Sequence, residues 1–139
     1  MNFFEKTEYN INDITALVYN EAEESVHLDF KAAGSLSKDD KKKVEIAKDV
    51  SAFANSDGGI IVYGIEEKDH KAHALSYIDG NTYTKEWLEQ VIQDNIQRRI
   101  DGLEIFPIRD EGNVAKSIYV VKIPRSSNTP HMSADKCYY

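Results

Sequence analysis

The stretch from Val50 to Glu67, Val-Ser-Ala-Phe-Ala-Asn-Ser-Asp-Gly-Gly-Ile-Ile-Val-Tyr-Gly-Ile-Glu-Glu, leaves the chain little freedom in how it folds. A helix ends near Ala54, and the turn Asn55-Ser56-Asp57-Gly58-Gly59 comes after it without slack. Asn, Asp and Gly accept the positive φ angles that end a helix and reverse a chain. The run Ile60 to Ile65 is rich in β-branched residues and bounded by glycine and acids, which predicts a buried strand. Glu66 and Glu67 stand at its exit. A carboxylate at the end of a buried strand is held in a fixed place, where a chemical group is useful.

The flanking segments supply the rest of one α+β domain. Asn12-Asp13 offers a cap for a short helix carrying Ile14, Leu17 and Val18 on one face. From Ser25 to Ala32 the chain alternates: Val26, Leu28, Phe30 and Ala32 point one way, His27, Asp29 and Lys31 the other, as in a strand with one buried face. Ser37 and Asp40 resemble a capping box for a helix with Val44, Ala47, Ser51 and Ala54 along its stripe. Lys68 to Lys71 reads as a polar turn and Ala74 to Ile78 as a short strand. Thr84 caps a helix that carries Trp87, Leu88, Val91, Ile92 and Ile96 and ends at Arg98-Arg99. Leu103 to Ile108 is a strand that Pro107 places at a sheet edge or at the strand's own end, and Ser117 to Ile123 a further strand behind the turn at Asp110 to Asn113. Tyr138-Tyr139 begins one more. These elements predict a mixed, mostly antiparallel sheet packed with about three helices.

The bulk numbers narrow the function. With 139 residues and 41% hydrophobic content, the chain supports one core. No apolar run approaches the roughly 20 residues of a membrane span, so no membrane partner is expected. A single cysteine, Cys137, allows no internal disulfide and no Cys/His zinc cluster, and a cytoplasmic, reducing setting is the expectation. The net charge of −7 counts against nonspecific coating of DNA but leaves room for a local basic groove or an acidic metal site beside one. The end at Cys137-Tyr138-Tyr139 reads as a strand cut in its middle, which suggests a single domain, residues 1–139, excised from a longer protein with a missing C-terminal partner domain.

Three acids stand out. Glu24 precedes the first strand, Asp29 lies within it and Glu66 leaves the central one. If the two strands are neighbours, these carboxylates share a site. Carboxylate oxygens are hard ligands suited to Mg²⁺ or Mn²⁺, and such an ion activates water and polarises phosphoryl oxygens. Lys31, on the face of Asp29, is placed to stabilise charge on a phosphate. Alternating charges also mark any solvent-facing strand surface, and 24 acids in the chain allow clusters to arise by chance. Lys41, Lys42 and Lys43 begin the solvent side of the second helix; with Arg98 and Arg99 they are the candidate nucleic-acid contacts. His27 reads as a surface residue; His70 and His73 sit in a polar loop, where an imidazole can bind metal but more often binds nothing; and Gly58-Gly59 lacks the Lys-Ser/Thr continuation of a Walker A loop.

Taken together, these residues resemble a family. Glu24-Ser25-Val26-His27-Leu28-Asp29-Phe30-Lys31 is similar to the E-S-x-x-x-E-F-K segment of the Schlafen AlbA_2 domain. Val50 to Gly59, continued by Ile60 to Glu66, resembles that family's A-F-A-N-[ST]-x-G-G block and the strand after it. Pro124-Arg125-Ser126-Ser127, then Pro130-His131 and Tyr138-Tyr139, is similar to its P-x-S…P-[HY]…Y-Y ending, so the resemblance runs from about residue 14 to residue 139. It implies an α+β nucleic-acid-associated domain of the kind found in bacterial regulators, defence proteins and animal Schlafens. In the nucleolytic members three acids cleave tRNA or rRNA with a divalent metal, and the matching positions are Glu24, Asp29 and Glu66. Asp29 is one methylene shorter than the family's usual Glu, and Glu66 one longer than its frequent Asp. The Schlafen zinc site has no counterpart here, and the chain supplies one lobe where Schlafens use two.

Three functions stay open at this point. One is a metal-dependent endoribonuclease acting on structured RNA such as tRNA. Another is a DNA- or RNA-binding module without cleavage, within a larger transcriptional regulator or defence protein. The third is an ATP-responsive regulatory domain using the turn from Asn55 to Gly59. A homodimer that rebuilds the two-lobed cleft is expected, with Phe3, Phe4 and Tyr138-Tyr139 as contact points.

Overall fold

The structure, a computed structural model, describes residues 2–96 and 99–125 of the chain. Its centre is a four-stranded mixed sheet of order β1-β2-β6-β5, built from β1 (Leu28–Lys31), β2 (Gly59–Tyr63), β5 (Glu104–Asp110) and β6 (Asn113–Ile123). β1 runs parallel to β2, while β6 is antiparallel to both β2 and β5. A separate hairpin pairs β3 (Ile65–Lys68) with β4 (Lys71–Leu75). The helices are α1 (Ile11–Tyr19), α2 (Asp40–Ala54) and α3 (Lys85–Asp94). Among the described residues the fold is the expected α+β domain with three α-helices. Among the described residues no helix is long and apolar enough to cross a membrane.

β2 reads as an unbroken apolar run because it is buried on both faces. Ile61 and Tyr63 pack with Val121 and Ile123 beneath α2 and α3. Ile60 and Val62 pack the other way, with Phe30 and Val120, beneath Ile14 of α1 and Ile65 and Ala72 of the hairpin. β1 is an edge strand and alternates: Leu28 and Phe30 enter the second cluster, while Asp29 and Lys31 stand on the α2 face beside Ile61 and Tyr63. Pro107 lies in β5, the opposite edge strand, where a missing N–H costs no ladder bond.

Several local expectations shift. Asn10, not Asn12, caps α1, in a capping box closed by Asp13. Asp39 caps α2 by accepting from Lys41 N–H, and Ser37 instead accepts from Asp39 N–H. Thr84 caps α3 as expected, but the helix ends at Asp94. The first strand begins at Leu28, not Ser25: Ser25 and Leu28 exchange backbone hydrogen bonds in a tight turn, which turns Val26 outward, 78% exposed. The run from Ile60 to Ile65 is two strands, because Gly64 breaks it at φ 118° and passes the chain from one sheet to the other. A Cβ on Gly64 would lie 2.8 Å from Ile118 Cγ1. The last segment, with His131 and Tyr138-Tyr139, and Arg98 in the α3–β5 connection, lie outside the described residues.

The α2–β2 turn is tight in the way its composition suggests. Gly58 has φ 78°, and a Cβ there would lie 2.5 Å from Ile123 O and 2.9 Å from Arg125 N. At Gly59 a Cβ would meet the Phe53 ring at 2.5 Å. Gly58→Ala is therefore expected to lose more stability than the ~1 kcal/mol by which a tolerated Gly→Ala can gain it. Urea denaturation measures this; an unchanged midpoint would mean that the turn relaxes freely.

Candidate acidic site at the edge of the sheet

Glu24 leads into β1 and folds back over its open edge. Its Oε2 accepts from Phe30 N–H at 3.1 Å, filling a donor that an edge strand leaves bare. Its backbone N–H donates to His70 O at 2.7 Å, and Glu23 pairs with Lys71, so the segment is stitched to the start of β4. The hairpin turn Asp69-His70, with both residues at positive φ, aims the His70 ring at the same carboxylate: Nδ1 lies 3.3 Å from Glu24 Oε1. Glu67 is tied into this turn, its Oε2 accepting from His70 N–H at 2.9 Å.

Asp29 meets Glu24 from the α2 side, and a side-chain hydrogen bond couples the two carboxyls. Burial, reinforced by the hydrogen bond to Glu24, raises the Asp29 carboxyl to about 6. Burial pushes Glu24 upward too, but the hydrogen bonds it accepts from Asp29, Phe30 N–H and His70 outweigh this and hold it below its usual range. Lys31 stands beyond Asp29, its Nζ 3.4 Å from Asp29 Oδ2 and 3.6 Å from Asp49 Oδ2 on α2. Burial disfavours the Lys31 charge, yet Asp49 and Asp29 more than offset this and keep the ammonium charged. Below them the Tyr63 hydroxyl is fully buried and has no hydrogen-bond partner among the described residues.

Two linked groups result, with Glu24 common to both. One is Glu24–Asp29–Lys31–Asp49. The other is Glu24, Glu67 and His70, one ligand atom of each lying within 4.8 Å of the others. Atoms around one six-coordinate ion with bonds of ~2.1 Å stand ~3–4 Å apart, so small side-chain motions suffice for a divalent cation. Two carboxylates and an imidazole suit Mn²⁺ well, and Mg²⁺ when water completes the shell.

The structure thus joins Glu24, Asp29 and Lys31, but the acid converging on Glu24 from the hairpin is Glu67. Glu66 is exposed opposite Ala74, and the register shift between Glu66 and Glu67 sets their directions. Sequence reasoning missed Asp49 and Glu67 as site residues, and it weighed His70 as a metal ligand without placing it beside Glu24. Gly64 was the available signal: a glycine inside an apolar run marks a break, and a break moves every later side chain to a new surface.

The basic residues lie apart from the acids. Lys41 and Lys42 are exposed on the first turn of α2, and at 1.5 Å per residue they stand ~10 Å or more along the helix from Asp49. Arg99 is exposed near the β5 edge, where a cavity of about 750 Å³ lies between α3 and β5. Three interstrand spacings, ~14 Å, separate that edge from β1. Phe3, one of the expected dimer contacts, packs on Tyr9, while Phe4 is 41% exposed.

Fold and site together define a class, a single α+β lobe with a carboxylate cluster at the β1 edge of a mixed sheet. The chain belongs to the Schlafen AlbA_2 family, whose model matches residues 24–139. Its fold is similar to the crystal structure of the DIP2311 protein from Corynebacterium diphtheriae, with a TM-score of 0.59, 15% sequence identity, and 92% of this chain covered. The match spans 24% of that longer chain. Comparison with curated proteins finds no match.

The raised Asp29 carboxyl has a measurable sign. Between about pH 4 and pH 6 the folded protein keeps a proton that the unfolded chain releases, so this group makes stability fall as pH rises through that window. Asp29→Asn is expected to raise the thermal midpoint at pH 7.5 and to gain much less at pH 4. An equal gain at both pH values would trace the effect to something other than this proton.

Proposed function

We propose that the domain is a metal-dependent endoribonuclease acting on structured RNA such as tRNA, with its centre at Glu24. The observation that carries this reading is the convergence of Asp29, Glu67 and His70 on one carboxylate, with an ammonium behind it. Glu24 and Glu67, with His70, would hold Mg²⁺ or Mn²⁺, which when bound polarises a phosphoryl oxygen and lowers the pKa of a coordinated water. Asp29, titrating near 6, takes or gives a proton at physiological pH, as a general base or acid should. Lys31, kept charged by Asp49, neutralises charge growing on the scissile phosphate. Glu66 is the alternative third ligand and would have to swing back across the β3 register shift to serve.

A second reading is favoured by the distance of Lys41, Lys42 and Arg99 from the acids. With the cations elsewhere, the lobe would bind DNA or RNA without cleaving it, as one part of a larger protein. A second lobe, from a homodimer or from the rest of the parent chain, would complete either groove.

Incubation of labelled tRNA with the domain and Mn²⁺ is expected to give products that EDTA abolishes. Glu24→Gln and Asp29→Asn should each slow cleavage by ~10²-fold or more, the scale of a lost acid–base group. Glu67→Gln should cost more than Glu66→Gln; the reverse order would return the third ligand to Glu66. Gel shifts with no products under any metal would favour the binding module.

A further inference from the structure

A groove of about 440 Å³ opens beside the carboxylate pair, with Glu24 and Asp29 in its wall. The rest of its surface is mainly apolar: Val26 from the turn before β1, Leu28 at the start of β1, and Ala52 and Phe53 from the last turn of α2. Ser25 and Ser56 add hydroxyls. Val26 is a large apolar side chain, 78% exposed, and its turn is fixed by the reciprocal Ser25–Leu28 backbone bonds. Phe53 is seated directly against Gly59, where even a Cβ would come within 2.5 Å of its ring. The core uses neither the outward face of Val26 nor the open side of this groove.

We infer that this groove is a subsite for one unpaired nucleobase of the RNA strand whose phosphate is held at Glu24 and Asp29. The inference rests on the nuclease reading and extends it to substrate class. Its occupant is set by the chemistry next door, since every phosphate of a nucleic acid carries a nucleoside within one bond on either side. The volume is within the range of small-molecule sites. An aromatic and an aliphatic side chain accept the faces of any base, and stacking of this kind tolerates sequence. The Ser25 hydroxyl accepts from His27 N–H and keeps its own proton to donate, while the Ser56 hydroxyl donates to Phe53 O and keeps lone pairs to accept, so between them they meet either kind of base edge. A base inside a duplex has its faces covered by its neighbours, so apolar contact of this kind demands an unpaired or extruded nucleotide. The preferred substrate is therefore a loop, bulge or single-stranded end of a folded RNA.

The test compares uridine 3′,5′-bisphosphate with abasic ribose 3,5-bisphosphate, by calorimetric titration in Mg²⁺ buffer. Neither ligand contains an internucleotide bond that cleavage would consume. The nucleoside form is expected to bind at least ~5-fold more tightly, the lower end of what base stacking supplies. Val26→Ser, on an exposed turn, should remove most of that difference, and Phe53→Leu should do so with the protein still folded. Equal affinity for the two ligands would overturn the subsite and leave phosphate binding at the acids intact. Failure of both ligands to bind with Mg²⁺ would remove the metal–phosphate reading and the subsite with it.

Discussion

β2 is hydrogen-bonded along both edges and buried on both faces, and every other element takes its place from that constraint. A strand in this position leaves no surface for a polar side chain, so chemistry must sit on a neighbouring strand or on the segment that leaves its end. β1, its parallel neighbour, has only one face in the core's second cluster and turns Asp29 and Lys31 toward α2. The hairpin that leaves β2 through Gly64 crosses to the other layer and returns beside Glu24. The acidic site forms at the edge of the sheet, where β1 and this hairpin meet.

That geometry explains which features were legible in the sequence. Alternation through Leu28, Asp29, Phe30 and Lys31 is a direct projection of a half-buried strand, so Asp29 and Lys31 were assigned to one face correctly. The same rule carried too far upstream placed Val26 inward, because periodicity does not see that Ser25 and Leu28 close a turn. The doubly buried run at Ile60 was legible from its β-branched residues, but its apolar character hid the break at Gly64. Gly64 signals the break, but the register shift between Glu66 and Glu67 sets which acid turns toward Glu24, and no side-chain pattern encodes that shift. The approach of His70 and Asp49 to the site was beyond reach for a different reason. They come to the site through a hairpin turn and through helix-on-sheet packing, contacts between residues distant in sequence.

The electrostatics come from burial and hydrogen bonding together. Burial and the hydrogen bond to Glu24 raise Asp29 to about 6, while Glu24, which collects hydrogen bonds from three directions, is held below its usual range. Asp29 leaves the Lys31 ammonium between two acids, Asp29 and Asp49. Lys31 is thus an internal counter-ion, and any anion brought to it would compete with Asp29 and Asp49. Such part-exposed pairs add little to stability, ~1 kcal/mol or less, so this arrangement is better understood through what it presents to an anion than through what it holds together.

Glu24 carries two loads that are separable in principle. Its Oε2 closes the bare Phe30 N–H of an edge strand, while its Oε1 faces His70 and the hairpin. Removing the side chain would expose an edge donor next to the open side of β1, the kind of unpaired backbone that recruits another strand. A glutamine keeps an oxygen acceptor for Phe30 N–H but cannot carry the negative charge that His70 or a cation would need. Loss of the charge alone therefore tests the chemistry, whereas loss of the whole side chain also tests the sheet. The carboxylate that best defines the site is at the same time the cap that keeps the strand beneath it from pairing elsewhere.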